Sequence, residues 1–174
     1  VHSLVRDLNR VYRDNPALYE LDCMSEGFQW IDCHDSDNSV ISFLRLGKNQ
    51  DDFVVVVCNF TPVPRLGYAF GVPRGGEYEE ILNSDAECYA GSGVGNGGRV
   101  MAEERSSHGR PFTLNLNVPP LGALILKPVT PPVVESVEPA AEAAPEDTSP
   151  VEESVSESVA EEAPANAVEQ GSGR

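Results

Sequence analysis

The sequence is poor in the residues that several classes of function require. It has 12 lysine and arginine residues against 28 aspartate and glutamate residues, which gives a formal net charge of −16 over 174 residues. Nucleic acids and anionic membrane surfaces attract basic proteins, so this balance argues against both as partners. Because no apolar run reaches the roughly 20 residues of a membrane-spanning helix, the sequence also predicts no membrane segment.

Cysteine and histidine are scarce, and neither occurs at metal-ligand spacing. The four cysteines form no Cys-x-x-Cys pair and the three histidines are far apart, so the sequence predicts no metal site and no cofactor. Scattered cysteines in a chain without a signal peptide are typical of reduced thiols, which favours the cytoplasm. A disulfide framework is the alternative, although a chain of this length does not depend on one.

The composition changes abruptly at residue 130. From there to the end, the chain is rich in Pro, Ala, Glu, Ser and Val, lacks aromatic residues, and carries eleven acidic residues against one arginine. Such a segment buries too little apolar area to offset its chain entropy. Residues 130–174 are therefore predicted to form a disordered acidic tail.

The chain opens with a helical pattern. Arginines and aspartates occupy one side of the predicted helix, and the other side carries one apolar stripe, formed by Leu4, Val5, Leu8, Val11 and Tyr12. The helix should stop near Asn15, because the residue before a proline is pushed out of the α region. The absence of an initiator Met before this pattern is typical of a fragment, although Met removal or tag trimming gives the same start.

From residue 28 onward the apolar period changes to two, which predicts strands. The candidates are residues 28–32, 40–46, 52–60, 67–72, 77–82, 112–118 and 121–126. Turn signals separate them about every ten residues, and no helical crossover lies between them. The predicted fold class is therefore all-β, an antiparallel Greek-key-like β-sandwich preceded by the amphipathic helix.

The stretch Asn59–Arg65, which reads NFTPVPR, closes the most apolar of these strands. Four consecutive valines and Cys58 precede it, and β-branched residues suit a packed sheet. Pro62 and Pro64 then end the ladder, since neither has an N–H to donate. The stretch is therefore predicted to leave a core strand in a fixed, extended shape.

The glycine-rich stretch GSGVGNGG, residues 91–98, contains the GxGxxG spacing at Gly93, Gly95 and Gly98. A dinucleotide site needs a buried strand before this motif and an apolar helix after it. Residues 85–90 and 99–109 are too polar for either. We therefore expect a flexible or tightly turning surface loop.

Asp35, Asp37 and Ser39 resemble the first ligands of a calcium loop. However, Val40 occupies the position of the turn glycine and Leu46 that of the bidentate glutamate. These residues are therefore predicted to form a hairpin turn.

Seven phrases, taken together and in order, resemble the C-terminal region of the 1,4-α-glucan (glycogen) branching enzymes of the α-amylase superfamily. They are SLVRDLNRVYRDNPALYELD, GFQWID, NFTPVPR, EILNSD, GSGVGNGG, SSHGR and NVPPLGALIL. The resemblance implies that residues 1–22 are the last helix of an upstream (β/α)8 barrel with its connection. It also implies that residues 23–129 are the C-terminal all-β domain.

The resemblance further implies a parent enzyme of glycogen biosynthesis. Branching enzymes cut an α-1,4 bond and rejoin the freed segment to a 6-hydroxyl, using an Asp nucleophile and a Glu acid/base on the barrel. Those carboxylates lie upstream in the family, so no catalytic residue is assigned here and this chain alone is expected to be inactive. Its expected partners are the barrel and α-glucan.

Three other functions compete with this expectation. They are an independent carbohydrate-binding module, an enzyme complete in itself, and the C-terminal domain of another α-amylase-superfamily enzyme. The first helix argues against an independent module, which has no need of an orphan amphipathic helix at its start.

Aromatic rings that stack on sugars would support glucan binding. The candidate contacts are Trp30, Tyr68, Tyr78 and Tyr89. The competing interpretation of each is a core residue of the sandwich.

Overall fold

The computed structural model describes residues 1–129, and it opens with helix α1, His2–Asp14. The helix ends as predicted, because Asn15 before Pro16 is extended, with φ −125° and ψ 96°. Short 3₁₀ turns follow at Pro16–Leu18 and Ser25–Gly27. No helix in this part of the chain is long and apolar enough to cross a membrane.

Eight strands follow the helix and pair only antiparallel. Their bounds are β1 Phe28–Asp32, β2 Val40–Leu46, β3 Phe53–Asn59, β4 Arg65–Val72, β5 Gly76–Asn83, β6 Arg99–Ala102, β7 Phe112–Val118 and β8 Gly122–Pro128. One sheet has six strands in the order β1-β2-β3-β8-β5-β6, and the other pairs β4 with β7. The prediction of an all-β antiparallel sandwich with a leading helix is confirmed, whereas the predicted tail lies outside the described residues.

The interior of the sandwich lies between the two sheets. Alternate side chains of β7 face it, which confirms the apolar period of two in that strand. The largest fully buried side chains in this core come from both sheets: Val40, Leu44, Val55, Val57, Phe70, Val72, Tyr78, Leu114, Leu116, Leu124 and Leu126. Burial of this apolar surface holds the two sheets together.

Strand β3 is buried on both of its faces. Val55 and Val57 face the interior of the sandwich, while Val54 and Val56 face the opposite side of the six-stranded sheet. All four valines are at most 8% exposed. The six-stranded sheet therefore has a second apolar surface, which we call the outer face.

Strand β6 was not predicted. Residues 99–109 are polar, and this short strand lies at an edge of the sheet, where it pairs only with β5. Ala102 is buried and Val100 packs against the interior core, whereas Met101 is 63% exposed. Because only Ala102 of this strand is buried, the strand depends on its pairing with β5, which a local pattern does not reveal.

The central position of β8 makes Leu124→Ala a test of this core. Leu124 is fully buried, so the substitution should lower the free energy of unfolding by about 2–5 kcal/mol through lost burial and a residual cavity. Leu66→Ala is the matched control, because Leu66 is 71% exposed and should change the stability by less than about 0.5 kcal/mol. Urea unfolding measures both, and equal effects would contradict the assigned core.

Candidate functional site

Helix α1 lies across the outer face of the six-stranded sheet. Val11 of the helix packs with Val54, Val56, Leu82 and Ile125, all of which are buried. Leu4 lies at the margin of this cluster. The helix is therefore part of the sandwich and not an orphan element.

Only half of the helical stripe is used in this contact. Val5, Leu8 and Tyr12 form an adjoining row on the helix surface, and they are 49%, 38% and 47% exposed. We call this row the apolar flank. It lies on the side of Tyr19, whose ring centroid is 5.6 Å from that of Tyr12. The apolar stripe of the helix is therefore wider than the part that the sheet covers. Sequence reasoning missed this width because it treated the five apolar residues as one face.

A partly buried hydrogen bond fixes the other side of the helix. The Tyr89 hydroxyl donates to Oδ2 of Asp7 at 3.0 Å, and Asp7 is itself buried. Arg6 and Arg10 lie at 3.3 and 3.5 Å from Oδ1 of the same carboxylate. The hydrogen bonds from Arg6 and Tyr89 hold the pKa of Asp7 below its usual value, although burial opposes them. Burial and the Asp7 carboxylate raise the pKa of Tyr89.

The C-terminal end of α1 is anchored as well. Nδ2 of Asn15 donates to the Val11 carbonyl at 2.7 Å, and Nζ of Lys127 donates to Oδ1 of Asn15 at 3.0 Å. Asn15 is buried, so both interactions satisfy polar atoms that would otherwise be unpaired there. The apolar flank is therefore presented by a helix that is held at its middle, through Asp7, and at its C-terminal end, through Asn15.

The glycine-rich loop wraps around Asp85. Burial acts to raise the pKa of this carboxyl, but hydrogen bonds from the Ser92 side chain and from the backbone N–H groups of Ser92 and Val94 keep it below its usual value. A Cβ at position 91 would lie 2.1 Å from the Asp85 carbonyl oxygen, and Gly93 has φ +78°. The glycines thus let the backbone fold closely around a carboxylate, and of the two predicted forms of the loop the structure has the tightly turning one.

The outer face continues into an aromatic cluster on β1 and β2. The ring of Phe28 lies 4.8 Å from Trp30 and 5.1 Å from Phe43 between centroids. Phe43 also packs at the margin of the buried cluster under α1, and Trp30 is 50% exposed. An exposed indole therefore extends the uncovered apolar surface to the edge of the sheet.

The structure does not bring the four predicted glucan contacts together. Tyr78 is fully buried and its hydroxyl donates to the Arg74 carbonyl, so its proposed stacking role is corrected to a core role; burial raises its pKa to about 12. Tyr68 is half-buried and donates to Asp35, and Tyr89 donates to Asp7. Trp30 alone among the four exposes at least half of its surface.

Asp35 organises the predicted hairpin turn. Its carboxylate accepts hydrogen bonds from the backbone and side chain of Asn38 and from Tyr68. Burial opposes these bonds, which together hold the pKa of Asp35 below its usual value. Because these hydrogen bonds occupy its oxygens, the carboxylate stabilises the hairpin turn and does not form part of a calcium loop.

A serine, a histidine and an aspartate, residue types that occur in many catalytic sites, also meet at the surface. Oγ of Ser107 lies 2.7 Å from Nδ1 of His108, and Nε2 of His108 lies 3.4 Å from Oδ2 of Asp32. Ser107 is held by two backbone hydrogen bonds with Arg110, whose guanidinium contacts Gln29 on β1. The contacts of His108 and Arg110 thus fasten the loop before β7 to strand β1, which gives this trio a structural role.

Comparison with known proteins identifies the family. The family model of the alpha amylase C-terminal all-beta domain matches residues 30–129. The chain belongs to this family. The fold in that description agrees with the antiparallel sandwich described above.

Curated members with this domain extend well beyond it. The 1,4-alpha-glucan branching enzyme GlgB of Pseudomonas putida is 57% identical over 128 residues, which cover 74% of this chain and 17% of the relative. The GlgB enzyme of Cereibacter sphaeroides is 57% identical over 125 residues, covering 72% and 17%, and that of Aquifex aeolicus is 53% identical over 127 residues, covering 73% and 20%. The chain therefore spans one fifth or less of the length of these relatives.

The bond between Asp7 and Tyr89 gives a testable pH dependence. Tyr89→Phe should lower the free energy of unfolding by about 0.5–1.5 kcal/mol at pH 7. Because the folded pKa of Asp7 is lowered, its contribution is present above the ordinary aspartate pKa of about 3.9 and is lost as the pH falls through the folded value. Urea unfolding at pH 7 and pH 3 should therefore show a smaller loss at pH 3.

Tyr19→Phe is the control for this substitution. The hydroxyl of Tyr19 has no hydrogen-bond partner among residues 1–129 that we identify, and its ring is 41% exposed. Tyr19→Phe should therefore leave the free energy of unfolding unchanged at both pH values. A Tyr89→Phe loss that is the same at pH 3 and pH 7 would show that the Asp7 charge does not contribute.

Proposed function

We propose that this chain is the non-catalytic C-terminal domain of a 1,4-α-glucan branching enzyme. The parent would transfer an α-1,4-glucan segment to a 6-hydroxyl and so form α-1,6 branches in glycogen biosynthesis. Residues 1–22 would be the last helix of its (β/α)8 barrel with the connection, and residues 23–129 the domain beside it. The observation that carries this proposal is the apolar flank of α1, which the sandwich leaves uncovered.

The flank is chemically suited to a protein partner. Val5, Leu8 and Tyr12 are presented by a helix whose position is fixed, so little conformational freedom would be lost when they are covered. A fully buried aliphatic or aromatic side chain contributes about 1.5–3 kcal/mol, and each of these is only partly buried. Burial of the flank against the upstream barrel would therefore stabilise both parts of the parent.

The barrel is the partner that the relatives favour. Four-fifths or more of each GlgB relative lies outside the match to this chain. A sandwich that covers the barrel flank would shield apolar surface of the barrel from water, and the chemistry would remain on the barrel. This proposal assigns no catalytic residue, cofactor or metal ligand to the chain.

Glucan contact is the second candidate function, and the exposed indole of Trp30 favours it. A ring that is 50% exposed can stack on a sugar, which suits either a surface foothold for a long glucan or a carbohydrate-binding module. The same ring lies on the outer face beside Phe43, where a protein partner would also cover it. Affinity electrophoresis in a glycogen gel separates the two roles, since Trp30→Ala should abolish retardation only if the ring binds glucan.

The cytoplasm is the proposed location. Its support is that all four cysteines are free thiols. The C-terminal domain of another α-amylase-superfamily enzyme remains the alternative to a branching enzyme, and the activity of the parent would discriminate between them.

A chimera tests the main proposal. In the Pseudomonas putida relative, residues 1–129 of this chain would replace the matching segment, and a second version of the relative would lack that segment altogether. We expect the chimera to form α-1,6 linkages in amylose and to unfold at a higher temperature than the truncated version. The isolated chain should form none.

The apolar flank is tested in the same chimera. Leu8→Ser should lower its unfolding temperature, whereas Leu66→Ser, at a leucine 71% exposed on β4, should not. Branching by the isolated chain, or a chimera no more stable and no more active than the truncated relative, would overturn the proposal.

A further inference from the structure

A small apolar cavity lies at the end of the sandwich that carries NFTPVPR. It has a volume of about 290 Å³, and its lining includes Phe60 and Leu121 together with Cys58 and Ala123. Phe60 and Leu121 are 62% and 70% exposed. Cys58 pairs with Ala123 across β3 and β8, so the cavity has a floor of two facing strand residues and two exposed apolar walls.

The walls are held rigidly by Asn59, which is 2% exposed. Its Nδ2 donates to the carbonyls of Val63 and Pro119, at 2.8 and 2.9 Å, and its Oδ1 accepts from the backbone and the hydroxyl of Thr61. All the donors and acceptors of this amide are thus engaged. Asn59 ties together the two segments that carry the walls.

Backbone hydrogen bonds fix the walls themselves. The N–H of Phe60 donates to the Ser39 carbonyl at 3.0 Å, and that of Leu121 donates to the Thr61 carbonyl at 2.8 Å. The apolar walls are therefore built in place before any partner arrives, which reduces the entropy lost on binding.

A leucine at position 121 is energetically unfavourable in the isolated domain. Its φ is +44°, a left-handed conformation that is unfavourable for a residue with a branched side chain and that glycine adopts freely. The side chain is 70% exposed, so it gains little from burial within residues 1–129. A backbone strained to present an exposed apolar side chain points to a function for that side chain.

The floor of the cavity lies on the same face of the six-stranded sheet as helix α1. Cys58 in its floor and Leu4 of helix α1 pack against the same buried cluster on the outer face. Pockets for drug-sized molecules usually measure about 300–1,000 Å³, so this one falls at the lower limit and suits a single side chain better. The relatives are much longer than the segment that matches this chain, so we infer that the partner is the remainder of the parent chain.

We propose that Phe60 and Leu121 form an apolar clamp that receives one apolar side chain from the upstream part of the parent protein. This inference rests on the proposed function and specifies a second contact, apart from the flank of α1. It gives NFTPVPR a role beyond ending a strand, because Asn59 builds the clamp and Phe60 is one of its walls.

Leu121→Gly provides the sharpest test. Glycine keeps the backbone at φ +44° and removes only the side chain, so the isolated chain should unfold at the same or a higher temperature. In the chimera, the same substitution should lower the unfolding temperature. Phe60→Ser removes the other wall and should act in the same direction in the chimera, while Leu66→Ser, at a leucine of similar exposure on β4, should leave the unfolding temperature unchanged.

The thiol in the floor reports occupancy directly. Cys58 is half-buried, and burial raises its pKa, so a thiol reagent should label it slowly in the isolated chain. In the chimera, an occupied clamp should slow this labelling at least about tenfold further, which corresponds to about 1.4 kcal/mol of docking. Leu121→Gly should restore the faster rate, and peptide mass spectrometry would assign the label to Cys58.

The outcomes separate the two proposals. If the chimera is stabilised and active while the clamp variants change neither its unfolding temperature nor the labelling of Cys58, the clamp is wrong and the docking of the domain stands. A clear loss of stability by Leu121→Gly in the isolated chain would also overturn the clamp, because the side chain would then serve the sandwich itself. A chimera without stabilisation, activity or protection of Cys58 overturns both.

Discussion

The burial of strand β3 on both faces is the constraint on which the rest of the structure depends. Val55 and Val57 require a cover on one side of the six-stranded sheet, and Val54 and Val56 require another on the opposite side. Strands β4 and β7 supply the first cover, and helix α1 supplies the second. Removal of either would expose apolar surface that water disfavours, so the helix is needed even though it belongs to neither sheet.

The second cover is incomplete, and this distinguishes the domain from a self-contained module. An independent binding module would be expected to close its apolar surface and leave open only the ligand site. Here the exposed apolar groups occur on α1, on β1 and at the NFTPVPR end, and Val5, Trp30 and Phe60 all remain at least 49% exposed. The presence of the helix alone does not favour either interpretation, because the helix packs on its own sandwich; the uncovered flank is what supports the proposed docking.

The local sequence pattern predicted the helix and most of the strands, but it did not predict which strands pair with one another. The helix end at Asn15 and the alternation of β7 follow from rules that act within a few residues, and both were predicted. The pairing of β3 with β8 joins segments more than sixty residues apart, and nothing local specifies it. For the same reason β6 was missed, since its main support is the partner strand β5.

The predicted glucan contacts were less accurate than the predicted strands, because the identity of an aromatic residue does not show whether its side chain is exposed. Tyr78 and Trp30 are both aromatic residues of strands, yet one is fully buried in the core and the other is half-exposed at a sheet edge. The sequence likewise did not predict the left-handed backbone of Leu121. Pro119-Pro120 indicated a turn before this residue but not the conformation of the turn.

Each acidic cluster that might have suggested chemistry has a local structural task. Asp7 holds a helix, Asp35 a hairpin and Asp85 a glycine-rich loop, and hydrogen bonds keep the pKa of each carboxyl below its usual value. A retaining glycosidase needs one carboxyl that stays protonated to act as an acid beside one that stays ionised. Carboxyl groups whose pKa is lowered by hydrogen bonds within the fold suit the positioning of those segments and not the role of the protonated acid.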